Sequence, residues 1–385
     1  MPMNIKRLYL HVGLAKTGST AFQKYMYKNR VSYLNQYKLI YPGTQTSHWV
    51  LAAQFHDHPS FNIEYNQLAI PDQQKQDWLR EEVAKIESDL LNSNAETALI
   101  STEHLSPLSK ISLERLAEFL KRFCEKIILL VVVRDPWEYS KSCIQEDVKN
   151  GILSGDIAYG YLRGNIEIIE KYEESITESI ILLPYTFINK DINIISNILY
   201  YIDVPIIENP NDFKAQNKSS CYELVAIMAY FNTLYPTFGD SGQFIKNPIR
   251  DWMKDALNSV SFDGTPLTLQ GCVVKSIYEE SKKDLQLIQE KYLNGERVYS
   301  ACYKHISCTG DDAPSEISIR KLDKDTLSIF LMRALEKSVR LSWEYNKERL
   351  QWAIKAMEAQ SRNEIANSLK QELDNLIMLE NESAK

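Results

Sequence analysis

The chain has 385 residues, 44% of them hydrophobic, and a formal net charge of −7. That is enough apolar material for a sizeable core in one large domain or two. The negative balance argues against broad electrostatic binding to nucleic acid or anionic lipid, but it leaves room for a local anion cradle.

In chain order, residues 6–12 are a short apolar run ended by Gly13, the pattern of a buried strand. A helix is predicted from Ser19 or Thr20 through residue 34. LIYPG (39–43) predicts a second strand, residues 74–91 an amphipathic helix, ETALIS (96–101) a third strand and residues 113–123 another helix. KIILLVVV (126–133) is the clearest buried strand, β-branched through its second half. Asp135-Pro136 then opens a helix, with Asp as cap and Pro in the first turn, and Gly151 stops it. ESIILLPY (178–185) is the last strand, followed by a helix over 192–202.

Strands alternating with helices predict a parallel sheet covered on both faces. Beyond about residue 210 the signals are helical. TGDDAPSE (309–316) reads as a linker, and the proline-free stretch 315–385 predicts two or three helices without a clean heptad. The expected organisation is an α/β domain over 1–310 and a C-terminal helical extension over 311–385, with those helices as a candidate homodimer surface.

The longest apolar run is far too short to span a bilayer, so no transmembrane segment is expected. The N-terminal residues lack the serial features of a secretory signal, and the expectation is a cytoplasmic protein. Six scattered cysteines fit reduced thiols. Cys302, His305 and Cys308 lack a fourth ligand and read as unrelated side chains near a helix end.

HVGLAKTGST (11–20) carries the first chemistry. Gly13 and Gly18 have the spacing of a Walker A loop, but Ser19 and Thr20 stand where that motif has Lys and Ser/Thr. The lysine, Lys16, comes two residues before the second glycine. A strand, a glycine loop and a helix N-terminus in series aim backbone N–H groups and a positive dipole end at an anion. Lys16 adds a full charge; Thr17, Gly18, Ser19 and Thr20 add donors. The second segment, LLVVVRDPWEYSKS (129–142), places Arg134 at a strand end and Ser142 eight residues on. The guanidinium fork suits phosphate oxygens. The bland reading pairs Arg134 with Asp135 or a helix carboxylate. Ser140 is an alternative hydroxyl on another helix face. In parallel sheets ligands bind beyond the carboxyl ends of the strands. Gly13–Thr20, Glu103–His104, Arg134 and Tyr185 all follow predicted strand ends and could share one crevice.

Together, HVGLAKTGSTAFQ and VVVRDPWEYSKS resemble the motifs of the sulfotransferases that use PAPS, 3′-phosphoadenosine 5′-phosphosulfate. The resemblance covers about residues 5–235 and is closest to bacterial carbohydrate sulfotransferases. It implies a three-layer P-loop-like α/β fold with a central parallel sheet flanked by helices, plus the C-terminal helical region. It implies that Lys16, Thr17, Gly18, Ser19 and Thr20 hold the 5′-phosphosulfate, that Arg134 and Ser142 hold the 3′-phosphate, and that Tyr185 reaches the adenine. The sequence departs from the family pattern at several points. Ala15 replaces the usual proline. Ala21 stands where cytosolic members often have a stacking tryptophan, with Phe22 or Tyr25 as substitutes. LPYTF (183–187) lacks an acidic pair. FKAQNKSS (213–220), with Lys218, resembles a late N-x-S element.

Sulfuryl transfer needs a base for the acceptor hydroxyl and a cation at the departing phosphate of PAP. Lys16 is the candidate cation, and the scheme requires no metal. ISTEHLSPL (100–108) offers Glu103 and His104 side by side, of which an extended segment would turn only one to the crevice, with Glu103 slightly favoured. His48 is a third candidate, facing an acceptor. His56 and His58 read as a solvated loop or helix end. Trp49 and Trp78 are candidates for sugar stacking, but such residues are more often simply core. By resemblance the acceptor is a carbohydrate or glycolipid hydroxyl. Two other readings stay open: a nucleotide-dependent kinase with Glu103 near magnesium, and a non-catalytic nucleotide-binding or assembly protein built around the C-terminal helices.

Overall fold

The predicted strands come together in one sheet, which a computed structural model of the chain shows to be parallel throughout. The description covers residues 5–14, 16–59, 62–66, 68, 70–158, 160–162, 164–177, 179–185, 194–209, 220–234, 236–237, 264–269, 271–293, 316–318, 320, 322 and scattered positions between 367 and 378. The strands β1 (Ile5–His11), β2 (Leu39–Ile40), β3 (Thr97–Ser101), β4 (Cys124–Arg134) and β5 (Ile180–Tyr185) lie in the order β2-β3-β1-β4-β5. β2 is shorter than expected. Pro42 cannot donate to a ladder, and Gly43 turns the chain away at φ 83.

Alternation along β4 explains the three layers. Leu129, Val131 and Val133 join one core cluster, whereas Leu130 and Val132 join another, so both faces of the strand are buried. The first cluster takes in α2 (Trp49–Phe55), α4 (Asp72–Asn92), α5 (Lys110–Lys121), α7 (Asn165–Ser175) and Ile288 of α10 (Gly271–Tyr292). The second takes in α1 (Ser19–Tyr37) and α8 (Ile194–Tyr201). Completely burying one such aliphatic side chain stabilises by roughly 1.5–3 kcal/mol. This double-sided burial is why β4 was the most legible strand. Asp135 caps α6 (Pro136–Lys149) as predicted, its Oδ1 accepting the Glu138 N–H at 3.0 Å.

The described residues divide into two compact units. One holds the sheet and takes in 5–143, 160–209 and 271–293; the other takes in 144–158, 220–269 and 316–318. Within the second, α9 (Tyr222–Leu234) sends Asn232 Nδ2 to the carbonyls of Val148 and Leu153, both at 2.8 Å. Ile157 and Ile317 form an antiparallel bridge, and the Tyr222 hydroxyl donates to Glu316 O at 2.9 Å. The expected boundary at 310/311, the cluster of Cys302, His305 and Cys308 and the position of Lys218 lie outside the described residues, as do the C-terminal helices apart from isolated positions. No helix among the described residues is long and apolar enough to cross a membrane.

Candidate active site

Four strand ends build the site. β1 lies between β3 and β4, and β4 between β1 and β5, so the segments leaving β1, β3, β4 and β5 emerge along one edge of the sheet. The first is the glycine loop. Lys16 has φ 67 and Gly18 φ 83, so both adopt the left-handed conformation. For Gly18 that costs little; for lysine it is uncommon and strained. α1 starts directly after Gly18 with no side-chain cap and no acidic residue in its first turn, which leaves the positive end of its dipole on the loop side. Gly13 is required by close approach: a β-carbon there would lie 2.3 Å from Ser19 Oγ.

Arg134 joins the loop to the far strands. It ends β4 directly beside Tyr185, its register partner on β5. Arg134 Nη1 donates to the Lys16 carbonyl at 2.5 Å, across 118 residues of sequence. Its guanidinium carbon stands 4.9 Å from the centre of the Tyr185 ring. Gly18 lies against the same ring, since a β-carbon on it would come 3.4 Å from Tyr185 Cε2. Both motif segments and Tyr185 therefore share one place. The bland reading of Arg134 is realised alongside: Nη2 lies 3.6 Å from Glu138 Oε2, and Lys141 reaches the same carboxylate at 2.5 Å. A small cavity beside Arg134 is lined by Pro136, Tyr139, Tyr161, Asn165 and Ser281.

The remaining loop residues differ in what they present. Thr20 is exposed on the first turn of α1. The Thr17 hydroxyl turns inward and donates to Leu14 O at 2.5 Å, so it closes the loop rather than offering a donor to a ligand. Ser19 is buried beside it, the two hydroxyls 3.5 Å apart. Ser142 is half-buried two turns into α6. Ser140 is fully buried and accepts the Tyr161 N–H at 2.8 Å, which removes it as the alternative hydroxyl.

Several aromatic and histidine expectations are corrected by burial. His48 does not face an acceptor. It is 1% exposed, its Nε2 donates to Pro42 O at 2.8 Å, and its Nδ1 accepts the Ser101 N–H at 3.0 Å. Burial pushes its pKa down to about 4. Phe22 and Tyr25 are fully buried and unavailable for stacking; Tyr25 Oη accepts the Ile207 N–H at 3.0 Å. Trp49 and Trp78 stack on each other at 5.8 Å within the core. His56 ends α2, as the helix-end reading expected, and its Nδ1 accepts the His58 N–H at 2.9 Å.

Glu103 and His104 follow β3. Thr102 N donates to His11 O at 2.9 Å, which places this segment beside the end of β1. The chain turns at once instead of staying extended, with His104 N donating to Thr102 Oγ1 at 3.2 Å. The opposite-facing argument that separated the two side chains therefore does not apply, and both are half-buried. His104 Nε2 lies 3.3 Å from Glu64 Oε1. Burial opposes its protonation, but the Glu64 carboxylate outweighs this and, with a smaller effect of Glu103, raises its pKa.

Sequence reasoning missed two residues and left a third unnamed. Glu138, at i+4 from Arg134, is the helix carboxylate that the bland reading expected without naming it. Glu64 sits on the four-residue α3 (Ile63–Asn66), too short for any periodicity to mark. His11 was read only as part of a strand. It is 1% exposed, bonded through Nδ1 to Ser101 Oγ at 2.7 Å, and burial pushes its pKa down to about 3. Among the described residues no group of three or more His, Cys, Asp or Glu stands together as a metal site. Compared with protein-family models and with curated proteins, the sequence matches none.

Proposed function

We propose that this protein transfers a sulfuryl group from PAPS to a hydroxyl of a carbohydrate or glycolipid. The observation that carries the reading is the bond from Arg134 to the Lys16 carbonyl, with Tyr185 packed against both Arg134 and Gly18. It brings the two resembling segments into one site. The strand order and the loop running from β1 into α1 support a P-loop-like form of the α/β fold.

On this reading the loop N–H groups and Lys16 hold the 5′-phosphosulfate, and Arg134 with Ser142 holds the 3′-phosphate. The acceptor oxygen attacks sulfur. The bond from sulfur to the bridging oxygen breaks, and its electron pair leaves on the 5′-phosphate of PAP. Lys16 stabilises that charge, and Glu103 or His104 takes the hydroxyl proton. Work on a glycan precursor in the cytoplasm and dimerisation through residues 311–385 belong to the same proposal.

The test is transfer of label from [35S]PAPS to a panel of glycans and glycolipids in the presence of EDTA. Labelled glycan is the expected result. Absence of transfer, with phosphorylation of the same panel by ATP and Mg²⁺, would replace the sulfotransferase by a kinase.

A further inference from the structure

The sequence slightly favours Glu103 over His104 as base, but among the described residues it is His104 that has a carboxylate partner. His104 Nε2 faces Glu64 Oε1 at 3.3 Å. Because a carboxylate accepts, Nε2 carries the proton, and the lone pair of the neutral ring lies on Nδ1. Among the described residues Nδ1 makes no hydrogen bond.

Glu64 is firmly held although its helix is short. Asn62 Oδ1 accepts the Tyr65 N–H at 3.0 Å, and Asn62 O accepts the Asn66 N–H at 3.2 Å. Tyr65 is buried in the sheet's core cluster, and Gln76 Nε2 of α4 donates to its hydroxyl at 3.2 Å. The other carboxylate oxygen, Glu64 Oε2, is buried without a hydrogen-bond partner among the described residues. A half-buried carboxylate with one oxygen unsatisfied is costly, and the contact with His104, followed by a smaller contribution from Glu64's own backbone N–H, offsets that cost.

We infer that Glu64 is a positioning residue: it fixes the orientation and tautomer of His104, so that His104 Nδ1 is the base for the acceptor hydroxyl. This rests on the sulfuryl-transfer reading. As the acceptor oxygen bonds to sulfur and the sulfur–oxygen bond to PAP breaks, the hydroxyl proton passes to Nδ1. The resulting imidazolium is stabilised by the Glu64 carboxylate across Nε2.

The charged groups acting on His104 are Glu64 from α3 and Glu103 from its own segment. Glu64 has the larger effect and raises the His104 pKa against burial. The converse holds for Glu64. Burial pushes its carboxyl up, but the bond to His104 outweighs this and holds it below the ordinary carboxylate range.

The experiment combines a histidine-selective NMR titration of the full chain with the pH profile of inorganic sulfate release from PAPS, water serving as acceptor. It compares wild type, Glu64→Gln and Glu64→Asp, with PAP affinity measured in parallel. We expect His104 in the wild type to titrate above 6.5 with Nε2 protonated in its neutral form. Glu64→Gln should lower that titration, leave PAP affinity within about twofold, and slow sulfate release about tenfold with its acid limb moved to lower pH. Glu64→Asp should restore part of the rate. An unchanged His104 titration in Glu64→Gln, a neutral form protonated on Nδ1, or sulfate release at the wild-type rate would each overturn the inference. Failure of the underlying reading looks different: the wild type would not bind PAP, although Glu64→Gln still moved the His104 titration. That result would remove His104 as base together with the sulfuryl transfer.

Discussion

Arg134 has two demands on its guanidinium. It orders the loop through the Lys16 carbonyl, and it faces Glu138 at 3.6 Å with both side chains largely buried. A carboxylate so placed weakens the pull of Arg134 on an incoming phosphate, and Lys141 only shares it. Replacing Glu138 by Gln should therefore tighten PAP about three- to tenfold in a calorimetric titration. Unchanged or weaker binding would mean that Glu138 helps to shape the site rather than competing for Arg134. Lys16 and Arg134 were legible as site candidates because glycine spacing and a strand-end arginine are local features. The inward turn of Thr17 and the burial of His48 were not legible, because both depend on which strands become neighbours. His48 is bonded to Ser101 from 53 residues away.

Among the elements, β4 and the helix after Asp135 were the easiest to read, the one by its unbroken apolar run and the other by its cap. The short α2 was read only as a loop or helix end at His56, and α3 was missed, since seven and four residues give helical periodicity too little length to show. Two buried histidines tie the strand ends together: His11 on β1 bonds to Ser101 on β3, and His48 bonds to the backbone of the same residue. Their pKa values are depressed to about 3 and about 4. Below the unfolded value of 6.5 the unfolded chain binds more protons than the folded one, so their stabilisation is complete above about pH 6.5 and is lost as pH falls toward 4. At pH 5 the loss is roughly 2 kcal/mol for each. His104 acts in the opposite sense, its raised pKa favouring the fold as pH drops, but it is one group against two. Thermal melts between pH 7.5 and 5 should show Tm falling below about pH 6.5. A Tm that holds constant or rises over that range would contradict the buried, neutral state of both rings.

For the whole molecule, the sequence reading expected an extension beginning at residue 311. Just beyond that point Ile317 is fully buried and paired with Ile157, and Glu316 and Ser318 bond to Tyr222. These residues belong to the same compact unit as α9. A chain ending at residue 310 should thus lose roughly 3 kcal/mol from the unfolding of that unit, through one buried isoleucine and its hydrogen bonds. Denaturant melts would show this as a lower midpoint, whereas an unchanged midpoint would make the segment detachable. The parallel sheet was legible from alternating strand and helix signals, but the return of residue 317 to residue 157 was not, because a single bridging residue leaves no pattern. The central claim concerns the site at the edge of that sheet, and the most direct test is a calorimetric titration of the full chain with PAP in the absence of metal. Binding to the wild type, at least about tenfold weaker for Lys16→Ala and for Arg134→Ala and not reproduced by ADP, is the predicted result. No binding of PAP, with ADP or ATP bound only when Mg²⁺ is supplied, would contradict it.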